Sequence, residues 1–185
     1  MGPLEILKKG NQRYIWRISN PSKRDPEQFT EVGCNNKPCA AVVTCFDSPV
    51  SPEVLFDCDT SDLVVVQAAG NLINDGNLVR LEYAVQNFGI SLIVVVGHQQ
   101  CRIVQAALKG EKVSGYLPGF VKGLEPAIEA APEKSVDAVC KMHTRLTTED
   151  ILGFSEVFKE KVDDRSLQIV AGFYCSDSGK IEWLD

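Results

Sequence analysis

The chain has 185 residues, 44% hydrophobic and 24% charged, with a formal charge of −6 at pH 7. That length fits one domain, or one domain with a terminal extension, and leaves enough chain to bury a full core. The acidic balance argues against a nucleic-acid footprint, and no basic run or apolar stretch near ~20 residues marks a membrane partner, so small or neutral partners are expected.

The opening MGPLEILKKG lacks the apolar core of a signal peptide, and Ile6 stands where a myristoylation motif wants Ser or Thr. A cytoplasmic protein is expected, although a removed organellar transit peptide would leave no trace. Seven cysteines form an odd set without a secretory signal, which points to metal binding or buried free thiols rather than a disulfide framework.

Residues 2 to 17 read as an amphipathic helix with Tyr14 and Trp16 near its end, followed by polar SNPSKRDPEQ. Residues 1 to 25 are therefore divided off as a helical arm and linker, ahead of a domain over 26 to 185. Such a leading helix is expected to lie across a neighbouring subunit, giving at least a homodimer. The segments AAVVT (40 to 44), DLVVVQ (62 to 67) and SLIVVVG (91 to 97) are continuous and β-branched, the pattern of buried parallel strands. Between them, Ser51 and Pro52 open one helix as N-cap and first residue, and Leu78, Leu81, Val85 and Phe88 form the stripe of another ending at Gly89.

Later, VDAVCKMHTRL reads as a helix in which His143 is a surface or packing residue, and LQIVAGFY and KIEWLD read as a hairpin joined through SDSG. The expected fold class is α/β: a mostly parallel sheet of four strands plus an antiparallel edge strand, flanked by helices.

Cys45 ends the first strand, and GHQQC ends the third, with His98 and Cys101 three residues apart. Open α/β sheets place their sites outside the carboxyl ends of the strands. Cys101 begins the stretch CRIVQAAL, where a helix N-terminus favours a thiolate. Two thiolates and an imidazole suit tetrahedral zinc with one open position. Asp47, two residues beyond Cys45, is placed to compete for that position.

The same residues resemble the β-class carbonic anhydrases nearly end to end. GNQRY is similar to the family's opening helix motif, CFDSPV to its Cys-x-Asp-Ser-Arg-Val, and QAAGN to the last three positions of its Arg-Asn-Ala-Gly-Asn. LEYAV, GHQQC and GFYCSDSGKIEWL follow in the family's order. The resemblance implies one zinc per chain on Cys45, His98 and Cys101, with Asp47 as the family's switchable aspartate. It implies reversible hydration of CO2 to bicarbonate by zinc-bound hydroxide in a homodimer or higher homo-oligomer. It also makes Asn36 the substrate's hydrogen-bond donor, and Val64, Ala69 and Tyr83 the apolar CO2 pocket.

The departures gather at the same place. In the family, an arginine two residues after the aspartate holds that carboxylate off the metal in a bidentate pair. Here that position is Pro49, which carries neither charge nor donor and also reads as a turn former. Gln67 and Ala68 replace Arg-Asn, and Arg102 follows Cys101 where the family has glycine. Arg102 is either a substitute clamp or a solvent-facing helix residue.

Without a clamp, Asp47 is expected as the fourth zinc ligand at neutral pH, with slow or absent hydration. The alternatives are then a zinc-binding homologue with a structural, regulatory or bicarbonate-sensing role, or a hydrolase of another heteroallene such as COS or CS2. Cys34, Cys39, Cys58, Cys140 and Cys175 are read as structural or incidental.

Overall fold

The computed structural model describes residues 1–18, 37–110 and 117–184. Five strands form one sheet: β1 (Ala40–Cys45), β2 (Leu63–Ala68), β3 (Leu92–His98), β4 (Gln168–Cys175) and β5 (Lys180–Leu184). Their spatial order is β2-β1-β3-β4-β5, parallel throughout except for the β4–β5 hairpin. The expected four parallel strands and antiparallel edge are therefore present.

β1 and β3 lie inside the sheet and are buried at every position, which is why their apolar runs do not alternate. β2 sits on the edge, and its Gln67 is exposed. Successive residues serve opposite faces. Ala41, Val43, Ile93 and Val95 pack with α3 (Asp75–Asn87), through Leu81 and Val85, and with Phe158 of α8 (Glu156–Asp163). Ala40, Val42, Leu92 and Val94 pack on the other face with Leu7 of α1 (Pro3–Ile15) and with Leu55 of α2 (Pro52–Leu55). On the α3 stripe, Leu78, Leu81 and Val85 are buried as expected, whereas Phe88 is 41% exposed.

α1 docks on its own chain, while Trp16 just past its end is 64% exposed. Leu7 is fully buried against its own chain, with Leu4 and Tyr14 packed beside it. At Gly10 a β-carbon would stand 1.7 Å from the Phe56 carbonyl oxygen, so only glycine admits this approach. Asn11 extends the docking to the hairpin: its amide donates to the carbonyls of Leu55 and Gly179, and its Oδ1 accepts from the Ile181 N–H at 3.0 Å. Arg13 adds an ion pair to Asp57.

The remaining helices are α4 (Arg102–Leu108), α5 (Leu117–Gly123), α6 (Glu125–Ala130) and α7 (Val136–Phe154). α4, α6 and α7 build a cluster around Val104, Leu124, Val139 and Phe173 that includes Cys45 and Cys101. α7 lies close against β3 because Gly97 has no side chain; a β-carbon there would stand 2.2 Å from the Thr144 hydroxyl. Among the described residues, no helix is long and apolar enough to cross a membrane.

Candidate metal centre

From β1 the chain runs to β2 on one side, while β3 lies on the other, so the strand order reverses between β1 and β3. Such a reversal opens a crevice at the carboxyl ends of the two strands. Cys45 ends β1 and His98 ends β3, and Cys101 lies three residues farther, as the N-cap of α4.

Their ligand atoms lie within 4.8 Å of one another, and all three residues are buried. The two sulfurs are 3.9 Å apart. Two zinc–sulfur bonds of ~2.3 Å at a tetrahedral angle place the sulfurs ~3.8 Å apart, so the pair is already spaced for zinc.

The electrostatics agree. His98 Nδ1 is 2.9 Å from the Gln99 carbonyl oxygen, while Nε2 is buried without a hydrogen-bond partner. A carbonyl contact of this kind holds the ring with Nδ1 protonated and leaves the Nε2 lone pair free to ligate a metal. The neighbouring Cys101 thiol and burial push the Cys45 thiol well above its ordinary range. Cys101 is pushed up to about 11, first by its hydrogen bond with Cys140 and also by burial. Two thiolates are disfavoured here unless a cation lies between them, and the donor set therefore fits zinc.

Backbone groups fix these ligands. The N–H groups of Asp47 and Gly70 donate to Cys45 Sγ at 3.3 and 3.2 Å. The Gln99–Gln100 loop is tied down by the Tyr174 carbonyl, by Asp177 and Ser176 of the hairpin turn, and by Asp137 at the start of α7.

Asp47 is not unclamped. Arg102 Nε donates to Asp47 Oδ1 at 2.6 Å, Nη2 donates to the same oxygen, and the Arg102 backbone N–H donates to Oδ2 at 2.9 Å. A cation does meet this carboxylate, from the first residue of α4. Burial works to raise the Asp47 pKa, but the Arg102 side chain and N–H outweigh it and hold the carboxyl below its usual range. Arg102 keeps 79% of its side chain exposed on the helix surface while its guanidinium reaches Asp47. Pro49 is exposed, one residue past the turn that the Ser48 N–H closes on the Cys45 carbonyl.

Behind the ligands is a cavity of about 10 Å³, the space of a single water, bordered by Gly70, Asn71, Gly97, Cys140, His143 and Thr144 as well as the three ligands. None of Val64, Ala69 and Tyr83 borders it. Val64 and Ala69 are half-buried along β2 and the short turn that follows. Tyr83 is 57% exposed on α3, with its ring edge-on to Phe88. Asn36 and Cys34 lie outside the described residues.

The sequence reading missed Cys140 and His143 as neighbours of the centre. Gly70 was within reach of the QAAGN resemblance, which carries the position but not its bond to sulfur.

Residues 40–181 match the carbonic anhydrase family model. Carbonic anhydrase 2 of Mycobacterium tuberculosis is 32% identical over 184 residues, covering 95% of this chain and 88% of that protein. The carbonic anhydrase of Mycolicibacterium smegmatis is 31% identical, covering 96% and 90%. The fold is similar to that of the β-carbonic anhydrase CafA of Aspergillus fumigatus, with TM-score 0.78, 22% identity and coverage of 89% and 83%. It is also similar to a tetrameric β-carbonic anhydrase of Sordaria macrospora, with TM-score 0.74, 21% identity and 89% coverage of both chains.

Proposed function

The chain belongs to the β-class carbonic anhydrases, and from that membership we propose a zinc enzyme that hydrates CO2 reversibly to bicarbonate, with Arg102 as the clamp that Pro49 cannot supply. The observation that carries this reading is the Arg102–Asp47 pair beside a buried Cys-His-Cys set.

Cys45, His98 and Cys101 would hold the metal. Zinc, when bound, supplies the Lewis acidity that makes water nucleophilic near neutral pH. Asp47 is the catalytic carboxylate. Its Oδ1 is taken by the guanidinium, while Oδ2 receives one backbone donor and, with two lone pairs, can accept another hydrogen bond from the reacting water. Its lowered pKa keeps it a charged acceptor. In this reading, the fourth position on the metal is left to water rather than to Asp47.

Val64, Ala69, Tyr83 and Asn36 are proposed as the substrate pocket, by the family resemblance. Tyr83 and Val79 leave an apolar face of α3 uncovered, at 57% and 59% exposure, which supports a homodimer or higher homo-oligomer. A cytoplasmic location belongs to the same proposal.

Metal analysis of the purified chain and stopped-flow CO2 hydration test the reading together. One zinc per chain with hydration at neutral pH is expected. Pro49 favours a second reading, a zinc-binding homologue with a structural, regulatory or bicarbonate-sensing role. Zinc-loaded protein without hydration would establish that one instead, and absence of zinc binding would defeat both.

A further inference from the structure

We propose that His143 is a positioning residue for the zinc ligand Cys45: with Thr147, one turn farther along α7, it holds the Gly70–Asn71 turn so that the Gly70 amide meets the Cys45 sulfur. This rests on the metal site proposed above.

The turn needs holding. Gly70 and Asn71 are consecutive left-handed residues, with φ of 59° and 60°. For asparagine that conformation is uphill and persists only where the surroundings over-determine it. The Asn71 side chain does not supply the restraint through its oxygen, since Oδ1 is buried without a partner. The restraint comes from α7. Thr147 Oγ1 lies 3.5 Å from the Asn71 carbonyl oxygen and 3.4 Å from His143 Nε2. With Nε2 protonated, His143 donates to Thr147 Oγ1 and leaves the hydroxyl proton for the Asn71 carbonyl oxygen. The Gly70 N–H, one residue before Asn71, is committed to Cys45 Sγ at 3.2 Å.

Two properties suit a histidine to this place. An apolar residue would leave the buried Thr147 hydroxyl without this partner. Burial also pushes the His143 pKa down to about 4, so the ring provides hydrogen bonds without adding a charge beside the metal. An N–H donor to a ligating sulfur draws charge from the thiolate and fixes its direction. Removal of such outer partners lowers metal affinity by about 10- to 100-fold in comparable sites.

The test uses the full chain, with zinc affinity measured by competition with a chromogenic chelator and cobalt(II) as a spectroscopic probe of the sulfur-to-metal charge-transfer band. His143→Val is expected to keep its far-ultraviolet circular dichroism, bind zinc about 10- to 100-fold more weakly and shift the cobalt band. His143→Gln, which retains a donor, is expected to recover most of both. If the valine variant does not fold, Thr147→Val replaces it, with loss of affinity and a band shift again expected. A folded His143→Val or Thr147→Val chain with wild-type affinity and spectrum overturns the inference while leaving the zinc site standing. A wild-type chain that binds neither metal overturns the zinc site and this inference with it.

Discussion

Arg102 and Asp47, 55 residues apart in sequence, meet through the guanidinium on Oδ1 and the backbone N–H on Oδ2. The pair is lopsided: the arginine side chain is 79% exposed and the aspartate side chain only 4%. The cost of separation therefore falls on the carboxylate, which would keep the Arg102 backbone N–H as a donor but lose its counter-charge. The loop after β1 holds no cation for Asp47, and the first residue of α4 brings one to it.

Pro49→Arg should therefore do little. Both Asp47 oxygens already have donors, and a second guanidinium at position 49 finds no unmet demand. A kcat/KM for CO2 hydration within about threefold of wild type is expected, equivalent to less than ~1 kcal/mol. A tenfold rise would show that Asp47 is not effectively clamped in the wild-type protein.

Gly10→Ala should detach α1. The new methyl would overlap the Phe56 carbonyl oxygen, a backbone atom that cannot rotate away. A loss of about 1–3 kcal/mol in urea unfolding is expected, together with faster proteolysis inside residues 1–18. Zinc content should not change, because α1 provides none of the three ligands. Unchanged stability and protease resistance would contradict the docking of α1 on its own chain.

His143 should give the metal-free protein an acid-sensitive stability. Its pKa is about 4 folded and 6.5 as the ordinary value, because burial disfavours the charged ring. Below pH 6.5 the unfolded chain takes up a proton that the folded chain refuses, so stability falls as the pH drops towards 4 and levels off below it. The full effect is about 3 kcal/mol. Urea unfolding across this range, with chelator and reductant present, should show the slope in wild type and its absence in His143→Gln. Equal slopes in the two proteins would show that His143 titrates normally in the fold.

The strands and the three candidate metal ligands were legible in the sequence because each rests on a local pattern. A continuous β-branched run marks a buried strand whatever its neighbours, and a cysteine or histidine at its carboxyl end is placed by that strand alone. The clamp was not legible in this way. Arg102 reads equally as a helix-surface residue until the distance from α4 to the loop after β1 is known. His143 was hidden for a related reason: which side of α7 is buried depends on how closely α7 approaches β3, and the bare backbone of Gly97 sets that approach. The docking of α1 likewise turns on Gly10 and Asn11, whose roles appear only once Phe56 and the β5 hairpin are beside them.

Stopped-flow CO2 hydration at neutral pH, comparing zinc-loaded wild type, Arg102→Ala and the double variant Arg102→Ala/Pro49→Arg, is the most direct measurement of whether Arg102 has taken over the clamp. Wild type should be active, Arg102→Ala should lose about a hundredfold in rate as Asp47 is freed towards the metal, and the double variant should recover much of that loss. An Arg102→Ala chain as fast as wild type would contradict the clamp outright.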